Sequence, residues 1–489
     1  MDTNTPGADS PAAAKNVILL VSDGAGSTTW DAASYYQHGG LGHEAYDDFA
    51  VKRYMTTLSA DSLDAIGEYD PAKAWDAAAS TGAYNGNVTD YPNYYDALEY
   101  LRDTPTDSAA AGTALASGTK VPNGMLNVDA DGNELVNLGD LAVESGRELG
   151  IVTSVQWSHA TPAAFGAHNA DRNDYAGVAQ EMIDTGKASV IMGAGHPFYD
   201  GNGELRAPEG EDDFQYIGGV EGYMDLVSGN TDYTFFDSRE AFEALADGTW
   251  EVAPGEKVLG TAQVGSTLQF DRDGVAMDPL NDNVPDLATM TKGALNVLGD
   301  DEDGFFLAVE GGAVDWAAHA NNLPRMIQEQ RDFNDTVEAV TEWVEENSSW
   351  EETMVVVTTD HANGLLLGPD SDEDAFETPL NQGQGALPLV RWHSDNHTNE
   401  LVPVWANGAG SDKIAGAATR QDPGLAAFGA EGEEQFYLDN TDIFHAMASA
   451  MGVDGEAVDG PVAEAAPEAT DWESLMASLQ PAAADEPLV

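Results

Sequence analysis

Short apolar runs alternate with longer amphipathic stretches along this chain, a pattern typical of a parallel α/β sheet. The runs are continuous and rich in β-branched residues, as expected for strands that are buried on both faces. Five of them predict strands, at Asn16–Ser22, Gly150–Val155, Ser189–Ala194, Phe305–Val309 and Met354–Thr359. The pattern therefore predicts a three-layer α/β sandwich, with a mostly parallel central sheet flanked by helices and with inserted loop or crown regions.

Three of these runs lead directly into acidic residues. Asp23 follows the first run, Glu310 follows the fourth, and Asp360 with His361 follows the fifth. In open α/β sheets the ligand site lies outside the carboxyl ends of the strands, so we expect these side chains at one edge. Carboxylates gathered there repel one another, and cations between them would offset the repulsion.

One large domain is predicted from residue 16 to residue 454. The leader 1–15 is polar and lacks the basic start and apolar stretch of a signal peptide, and residues 455–489 form a tail rich in Ala, Pro and Glu. Three stretches are predicted as insertions, at about 61–102, 201–284 and 364–393. Loops of this kind often form lids or subunit contacts.

The charge and apolar content of the chain indicate which classes of binding partner to expect. The 489 residues include 19 Lys and Arg against 86 Asp and Glu, a formal net charge of −67, while 42% are hydrophobic. That apolar content favours a folded core over disorder. The negative charge repels nucleic-acid backbones and anionic membrane surfaces, and no apolar run approaches the ~18 residues of a spanning helix. We therefore expect neither a nucleic-acid partner nor a membrane partner.

The acidity also favours a protein adapted to high salt over an ordinary acidic protein. Asp and Glu are spread along the whole chain, so self-repulsion destabilises the compact state unless salt screens it. The screening length falls from ~10 Å at 0.1 M salt to ~3 Å at 1 M. The chain has no cysteine, which excludes disulfides, thiol nucleophiles and cysteine-ligated metals.

Several histidines stand in metal-ligand patterns. Asp315 and His319 are four residues apart, a spacing that puts both on one face of a helix. Alone, such a pair is more typical of a surface hydrogen bond. Asp360-His361 closes a predicted strand and His397 precedes another apolar segment, and each alone is more typical of a structural role. Together with the acids at the strand ends, they favour a zinc site with carboxylate and imidazole ligands.

Ser108 opens the stretch SAAAGTALASG, which predicts a helix start with Asp107 or Ser108 near its cap. A plain N-cap serine is the usual explanation of such a pattern. The functional explanation is a nucleophile at a helix N-terminus, where free N–H groups favour a phosphate dianion and a nearby metal activates the hydroxyl. Arg172 is one of few arginines and fits either a surface ion pair or a fork that binds two phosphate oxygens.

Six segments form an ordered set along the chain. They are Val21–Gly26 (VSDGAG), Thr106–Ala114 (TDSAAAGTA), His159–Arg172 (HATPAAFGAHNADR), Phe305–His319 (FFLAVEGGAVDWAAH), Val355–Gly364 (VVVTTDHANG) and His397–Gly408 (HTNELVPVWANG). This set resembles the alkaline phosphatase family, over about Asn16 to Gly408 with gaps at the insertions. The resemblance implies an enzyme that hydrolyses phosphate monoesters.

The resemblance also implies a site with two Zn²⁺ and one Mg²⁺. One zinc would be held by Asp315, His319 and His397, the second by Asp23, Asp360 and His361 with Ser108 as its catalytic ligand, and the magnesium by Asp23, Thr161 and Glu310. By the same resemblance, Ser108 forms a phosphoserine intermediate and Arg172 clamps the phosphate. Asp107 would orient Arg172, and its backbone N–H would reach the substrate.

Two positions near the third metal vary within the family. His159 stands where some members carry aspartate, and Trp316 where some carry lysine. Both residues resemble the versions in metal-sensitive and cold- or marine-adapted members. Because imidazole suits magnesium less well than carboxylate and water, the identity of the third metal stays open at this point.

Two other functions also stay open. A phosphodiesterase or a sulfatase would share the metal core, although Ser108 lacks the Cys/Ser-x-Pro-x-Arg context of a sulfatase. An acidic calcium-binding surface protein would use loops such as Asp370–Asp374, whereas Val128–Glu134 lacks EF-hand spacing and predicts a hairpin turn. The resemblance further implies a homodimer and a periplasmic or extracellular location, and the polar leader is typical of a processed chain.

Overall fold

A computed structural model of the protein describes residues 13–77, 79–80 and 91–453. The predicted tail 455–489 and most of the predicted leader lie outside the described residues. Within them, the strands are β1 Asn16–Ser22, β2 Val51–Thr56, β3 Glu148–Gln156, β4 Val190–Ala194, β5 Tyr233–Phe236, β6 Lys257–Thr261, β7 Phe305–Gly311, β8 Thr353–Thr358, β9 Ala362–Asn363, β10 Leu366–Leu367, β11 Arg391–Trp392, β12 His397–Thr398, β13 Val402–Gly408, β14 Arg420–Gln421 and β15 Phe436–Asp439.

The α-helices of the same residues lie between these strands. They are α1 Ser27–His38, α2 Ala60–Ile66, α3 Pro71–Ala74, α4 Tyr91–Arg102, α5 Ser108–Ser117, α6 Leu138–Glu144, α7 Ala160–Ala163, α8 Tyr175–Thr185, α9 Gly219–Ser228, α10 Arg239–Ala246, α11 Leu287–Leu298, α12 Ala313–His319, α13 Leu323–Asn347, α14 Ser411–Ala417 and α15 Asn440–Met451.

A central sheet of eleven described strands organises the molecule, in the order β14-β15-β2-β13-β8-β1-β7-β3-β4-β6-β5. The pairs from β8 through β5 are all parallel, whereas β13 runs antiparallel to both of its neighbours. All five predicted strands are present, and they form the middle of this sheet. The predicted fold class is therefore confirmed.

Side-chain alternation along β1 shows why the sheet is covered on both faces. Val17, Leu19 and Val21 pack against one layer, which includes α5, α6, α8 and α15. Ile18 and Leu20 pack against the opposite layer, which includes α1, α10, α11 and α13. All five side chains are fully buried, as expected for a central parallel strand, so the molecule has three layers.

The predicted insertions differ in what they contribute. The stretch 201–284 was expected to be irregular, but it contains β5 and β6, which extend the central sheet beyond β4. These strands are short and lie among Gly and Asp, so their apolar pattern does not stand out in the sequence. Stretch 61–102 is mostly helical where it is described, and stretch 364–393 contains the small β10–β11 pair among turns.

Two further features bear on earlier expectations. Val128 and Glu134 pair across a tight antiparallel turn, as the hairpin interpretation predicts. Across the described ranges, none of the helices has the length and apolar character needed to cross a membrane.

Candidate active site and metal centre

The carboxyl ends of β1, β7 and β8 lie side by side and define the site. Val21 pairs with both Glu310 and Thr358, so the residues that follow these strands reach the same edge of the sheet. Gly24 makes this convergence possible, because its φ is +74° and a Cβ there would lie 2.7 Å from Asp315 Oδ1. Only glycine fits this left-handed turn at such a short distance.

Ser108 is the first residue of α5 and is 3% exposed. Asp107 is the N-cap, and its Oδ1 accepts a hydrogen bond of 2.9 Å from the backbone N–H of Ala110. The alanine-rich sequence favours a helix, and the helix is buried along its length. The first turn of α5 therefore presents a hydroxyl beside N–H groups that have no partner within the helix, an arrangement that attracts anions.

His361 connects Ser108 to the acids at the strand ends. Its Nε2 lies 3.2 Å from Ser108 Oγ and 3.2 Å from Asp360 Oδ2. Asp23 Oδ1 lies 3.6 Å from the same nitrogen. Four polar side chains from three separate parts of the chain thus meet around one point.

Asp315, His319 and His397 form a second cluster next to the first. The Nε2 atoms of the two histidines are 3.0 Å apart, and they lie 3.4 and 3.3 Å from the Asp315 carboxylate. The ring of His397 stacks on that of His361 with centroids 3.7 Å apart, so the two clusters are contiguous. Ligand atoms of Asp315, His319 and His397 lie within 4.8 Å of one another, as do those of Asp23, Asp315 and His361.

Hydrogen bonds fix the tautomers of two of the histidines. His319 Nδ1 lies 2.9 Å from the carbonyl oxygen of Asp395, and His397 Nδ1 lies 2.8 Å from that of Thr106. A carbonyl only accepts, so Nδ1 of each ring carries the proton and Nε2 presents a lone pair. Two such lone pairs facing each other at 3.0 Å repel unless a cation lies between them.

A third group contains mainly oxygen ligands. Thr161 Oγ1 lies 3.4 Å from Asp23 Oδ2, and Thr153 Oγ1 donates to Glu310 Oε2. Asp23 and Thr161 both lie close enough to Glu310 to affect its pKa. A set of carboxylate and hydroxyl oxygens is the kind that hard cations such as Mg²⁺ prefer.

The buried carboxylates of this site repel one another, so nearby positive charge would stabilise their ionised forms. Burial, followed by repulsion from neighbouring carboxylates, raises the pKa of Asp23 well above its ordinary value. Burial also raises the pKa of Glu310 to about 7 and that of Asp360 to about 6. Asp315 is also buried, but His397 and the other histidines hold its pKa below the ordinary value.

Buried carboxylate oxygens without hydrogen-bond partners show whether metal ions would fit this site. Oδ1 of Asp23, Oδ2 of Asp360 and Oε1 of Glu310 are buried and make no hydrogen bond with the described residues. An isolated buried carboxylate oxygen is costly, and metal coordination is one of the few ways to stabilise it. The mixed imidazole and carboxylate clusters suit zinc, and the oxygen-rich group suits magnesium.

Arg172 contacts Asp107, the residue directly before Ser108. Its Nη1 donates to Asp107 Oδ2 at 3.1 Å. Burial disfavours the guanidinium cation, but Asp107 raises its pKa above the ordinary value, so Arg172 stays charged. The backbone N–H of Asp107, which the resemblance implies would reach the substrate, donates to Asn123 Oδ1 at 3.1 Å.

His159 and Trp316 contact each other, and each stands close in the chain to a candidate ligand, Thr161 and Asp315 respectively. The ring of His159 stacks on Tyr175 and meets Trp316 edge to face, both with centroids 5.7 Å apart. Burial, then the nearby Arg172, lowers the pKa of His159 to about 3, so the ring is neutral. His159 is also the N-cap residue of α7, which carries Thr161.

The structure adds residues that the sequence patterns did not reveal. Asn363 Nδ2 donates to Asp315 Oδ1 at 2.7 Å, and Thr153 binds Glu310 across neighbouring strands. Asn363 stands in the motif DHANG, where its proximity to Asp360 was the only available signal. Thr153 lies inside a buried strand, and no sequence pattern marks it.

Comparison with known proteins identifies the family. The sequence profile of the family described as "Alkaline phosphatase" matches residues 90–412, more than half of the chain. "Alkaline phosphatase 4" of Bacillus subtilis (strain 168) is 26% identical over 380 residues, which cover 65% of this chain and 74% of that protein. The alkaline phosphatase of Escherichia coli (strain K12) is 26% identical over 471 residues, which cover 90% of this chain and 86% of that protein.

Solved structures show the same fold. The alkaline phosphatase from the Antarctic bacterium TAB5 superposes with a TM-score of 0.59 at 20% identity, covering 91% of this chain and 100% of that chain. A form of the TAB5 enzyme in which Glu replaces a histidine is described with Mg bound in a site named M3. Because the family profile spans the segments of Ser108, Arg172 and His397, this chain belongs to the alkaline phosphatase family of phosphomonoester hydrolases.

Proposed function

We propose that the chain hydrolyses phosphate monoesters to an alcohol and inorganic phosphate through a phosphoserine intermediate on Ser108. One observation carries the proposal. The Ser108 hydroxyl lies at a helix N-terminus and 3.2 Å from His361 Nε2. The same nitrogen lies 3.2 Å from Asp360 Oδ2 and 3.6 Å from Asp23 Oδ1, two buried oxygens that make no hydrogen bond among the described residues. A nucleophile, an anion-binding helix end and a cation site therefore coincide.

The proposed ligand sets follow the contacts. Asp315, His319 and His397 would hold one Zn²⁺, Asp23, Asp360, His361 and Ser108 the second, and Asp23, Thr161 and Glu310 one Mg²⁺. When bound, these ions would lower the pKa of the serine hydroxyl, stabilise the leaving oxygen and activate the water for hydrolysis.

The protein's own residues position and neutralise the transferring group. Arg172 would bind two phosphate oxygens while the first turn of α5 faces the dianion. Ser108 Oγ would attack phosphorus as the alcohol leaves, forming phosphoserine. Water would then attack phosphorus, releasing inorganic phosphate and restoring the hydroxyl. Because the transition state resembles metaphosphate, charge neutralisation by Arg172 supports both steps.

The experiment compares three substrates on the chain loaded with zinc and magnesium. We expect kcat/KM for 4-nitrophenyl phosphate to exceed that for bis(4-nitrophenyl) phosphate and 4-nitrophenyl sulfate by at least about 100-fold. A higher value for the diester or the sulfate would favour the corresponding alternative and overturn the proposal. Metal analysis should give two zinc and one magnesium per chain, whereas calcium without zinc would favour an ion-binding surface protein.

We also propose that the chain forms a homodimer through a surface almost free of charge. Residues 32–43 and 378–390 contain no Asp, Glu, Lys or Arg, although 21% of the whole chain is charged. The two segments contact each other, since Asn381 Nδ2 donates to Gly39 O and Gln384 Nε2 to Gln37 O, both at 2.9 Å. We call them the leucine surface.

Four exposed leucines lie on the leucine surface: Leu41, Leu380, Leu387 and Leu389. Arg331 and Asp335 approach its edge through Tyr36 and Gln37. A two-fold axis places the same surface of each copy against the other, so two copies with a charge of −67 can meet there without opposing like charges.

Sedimentation at several protein concentrations tests the dimer. We expect a particle of twice the chain mass, and we expect Leu380→Asp with Leu389→Asp to give the monomer. The control Leu205→Asp changes a leucine that is 67% exposed outside the leucine surface and should leave the dimer intact. A monomeric wild type, or a dimer that survives the double substitution, would contradict this assignment.

The periplasmic or extracellular location stays a prediction, which cell fractionation tests.

A further inference from the structure

A tight turn at residues 122–125 joins two parts of the site that come from distant segments. The turn closes with a hydrogen bond from the backbone N–H of Met125 to Pro122 O at 3.3 Å. Gly124 has a φ of +88°, a value that favours glycine. The backbone N–H of Asn123 donates to Asp61 Oδ2 at 2.9 Å, which fixes the turn from its outer side.

Both polar atoms of the Asn123 side chain bind the loop that leads into the nucleophile. Its Oδ1 accepts from the backbone N–H of Asp107 at 3.1 Å, and its Nδ2 donates to Pro105 O at 3.0 Å. The amide of Asn123 thus binds one backbone donor and one backbone acceptor of the loop, as a neighbouring strand would. These two hydrogen bonds hold Asp107, the residue directly before Ser108, in place.

The next residue of the turn binds the phosphate-clamping side of the site. The backbone N–H of Gly124 donates to Asp107 Oδ2 at 3.1 Å, and Gly124 O accepts from the backbone N–H of Arg172 at 2.9 Å. The same Asp107 oxygen accepts from Arg172 Nη1. Asn123 and Gly124 together therefore set the distance between the nucleophile helix and Arg172.

The loop needs such anchors because its backbone is strained. Thr104 has a φ of +45°, in the left-handed region that a β-branched residue rarely adopts. Such a conformation costs on the order of 1–3 kcal/mol and persists only where surrounding contacts hold it. Ser62 Oγ donates to Thr104 O at 2.7 Å, but Thr104 lies three residues before Asp107, so this bond does not hold the last residue before Ser108.

We infer that Asn123 is a positioning residue, which aligns Ser108 Oγ with the phosphate bound by Arg172. This inference rests on the proposed roles of Ser108 and Arg172. The competing explanation is a surface hydrogen bond with no role in catalysis, because Asn123 itself is exposed. The two explanations differ in what the loss of the side chain changes: positioning affects catalysis and phosphate affinity, whereas a surface bond affects neither.

The experiment uses the full chain loaded with zinc and magnesium, with inorganic phosphate as the probe of binding. For Asn123→Ala we expect kcat to fall and the inhibition constant of phosphate to rise, each at least about tenfold, because small misplacements of reacting groups are costly. Hydrogen exchange at residues 104–108 should become faster. The control Asn133→Ala removes an exposed amide that contacts only the neighbouring turn at Asp129 and should leave all three unchanged.

A double-mutant cycle isolates the positioning role. In an Arg172→Ala background, Asn123→Ala should raise the phosphate inhibition constant less than threefold, because the guanidinium with which it aligns Ser108 is already missing. Unchanged kcat and phosphate inhibition in Asn123→Ala, or full additivity with Arg172→Ala, would overturn the inference. Ser108→Ala distinguishes failure of the proposed function from failure of the inference about Asn123. An active Ser108→Ala variant would refute the proposed function itself.

Discussion

Ser108 Oγ lies 3.2 Å from His361 Nε2, although 253 residues separate them in the chain. The serine comes from the start of α5, and the histidine comes from the end of β8. Their contact brings a hydroxyl at a helix N-terminus to the edge of the sheet where the carboxylates converge. In the proposed mechanism, this contact is where the attacking hydroxyl meets the candidate metal ligands.

Ser108→Ala should abolish the covalent phosphoenzyme and almost all hydrolysis, because Ser108 Oγ is the attacking atom of the proposed mechanism. Rapid acid quench with labelled substrate measures the adduct, and mass spectrometry locates it. The control Ser117→Ala changes a serine at the far end of α5, whose Oγ donates to Thr113 O. Label on another residue in Ser108→Ala would refute the assignment.

Asn363→Ala should weaken zinc binding by about 10–100-fold, as is typical when a residue that orients a metal ligand is lost. Asn363 Nδ2 holds Asp315 Oδ1 at 2.7 Å, so its removal frees the carboxylate to rotate. Competition with a chromophoric chelator measures the affinity without relying on catalysis. Asn407→Ala is the matched control, because Asn407 lies on β13 and accepts from Ala50 N. Equal zinc affinities in both variants would show that Asn363 has no such role.

His159→Asp should raise the affinity for Mg²⁺ at least about tenfold, since a carboxylate suits this ion better than imidazole. The neutral ring of His159 contacts Tyr175 and Trp316, and His159 is the N-cap of the short helix that carries Thr161. Calorimetric titration with Mg²⁺ after zinc loading measures the change. An affinity that does not change would mean that His159 is too far from the ion to affect it.

The stability of the fold should depend on pH through His168. Its ring nitrogens lie 3.0 Å from Glu181 and 3.6 Å from Asp140. Burial disfavours the cation, but hydrogen bonds and charge from these two acids raise the pKa of His168 from 6.5 to about 9. A pKa that is raised on folding contributes stability fully below pH 6.5 and loses it as pH rises through about 9.

His168→Gln should therefore lower the free energy of unfolding by up to about 3 kcal/mol at pH 6 and by much less at pH 10. Urea unfolding at both pH values measures the difference from wild type. The exposed His445→Gln, outside the leucine surface, serves as the control for a histidine without such partners. A gap between wild type and His168→Gln that stays constant over this range would contradict the assignment.

Low salt should raise KM for a phosphate monoester. The net charge of −67 repels the dianion, and its field extends further when the screening length grows. We expect KM to rise several-fold between 2 M and 0.1 M KCl, with a smaller change in kcat, which reflects the bound complex. A constant KM would show that the site's local charge alone governs binding and would count against high-salt adaptation.

The sequence by itself determined the central strands and the edge of the sheet at which the acids that follow them gather. Continuous apolar runs such as Asn16–Ser22 need burial on both faces, and the acids that follow them must then lie at one edge. The i, i+4 spacing of Asp315 and His319 predicts a shared helix face, and both lie on α12 as expected. Local pattern was sufficient here because each feature depends on a few neighbouring residues.

Only the tertiary structure decided which distant groups share a contact. The amide of Asn123 binds the loop before Ser108, and Thr153 binds Glu310, yet neither residue has a distinctive local pattern. Strands β5 and β6 were missed for the same reason, since their register with β4 and not their short sequences defines them. Hydrogen bonds of this kind depend on how strands and turns align after the chain has folded, and a one-dimensional pattern does not encode that alignment.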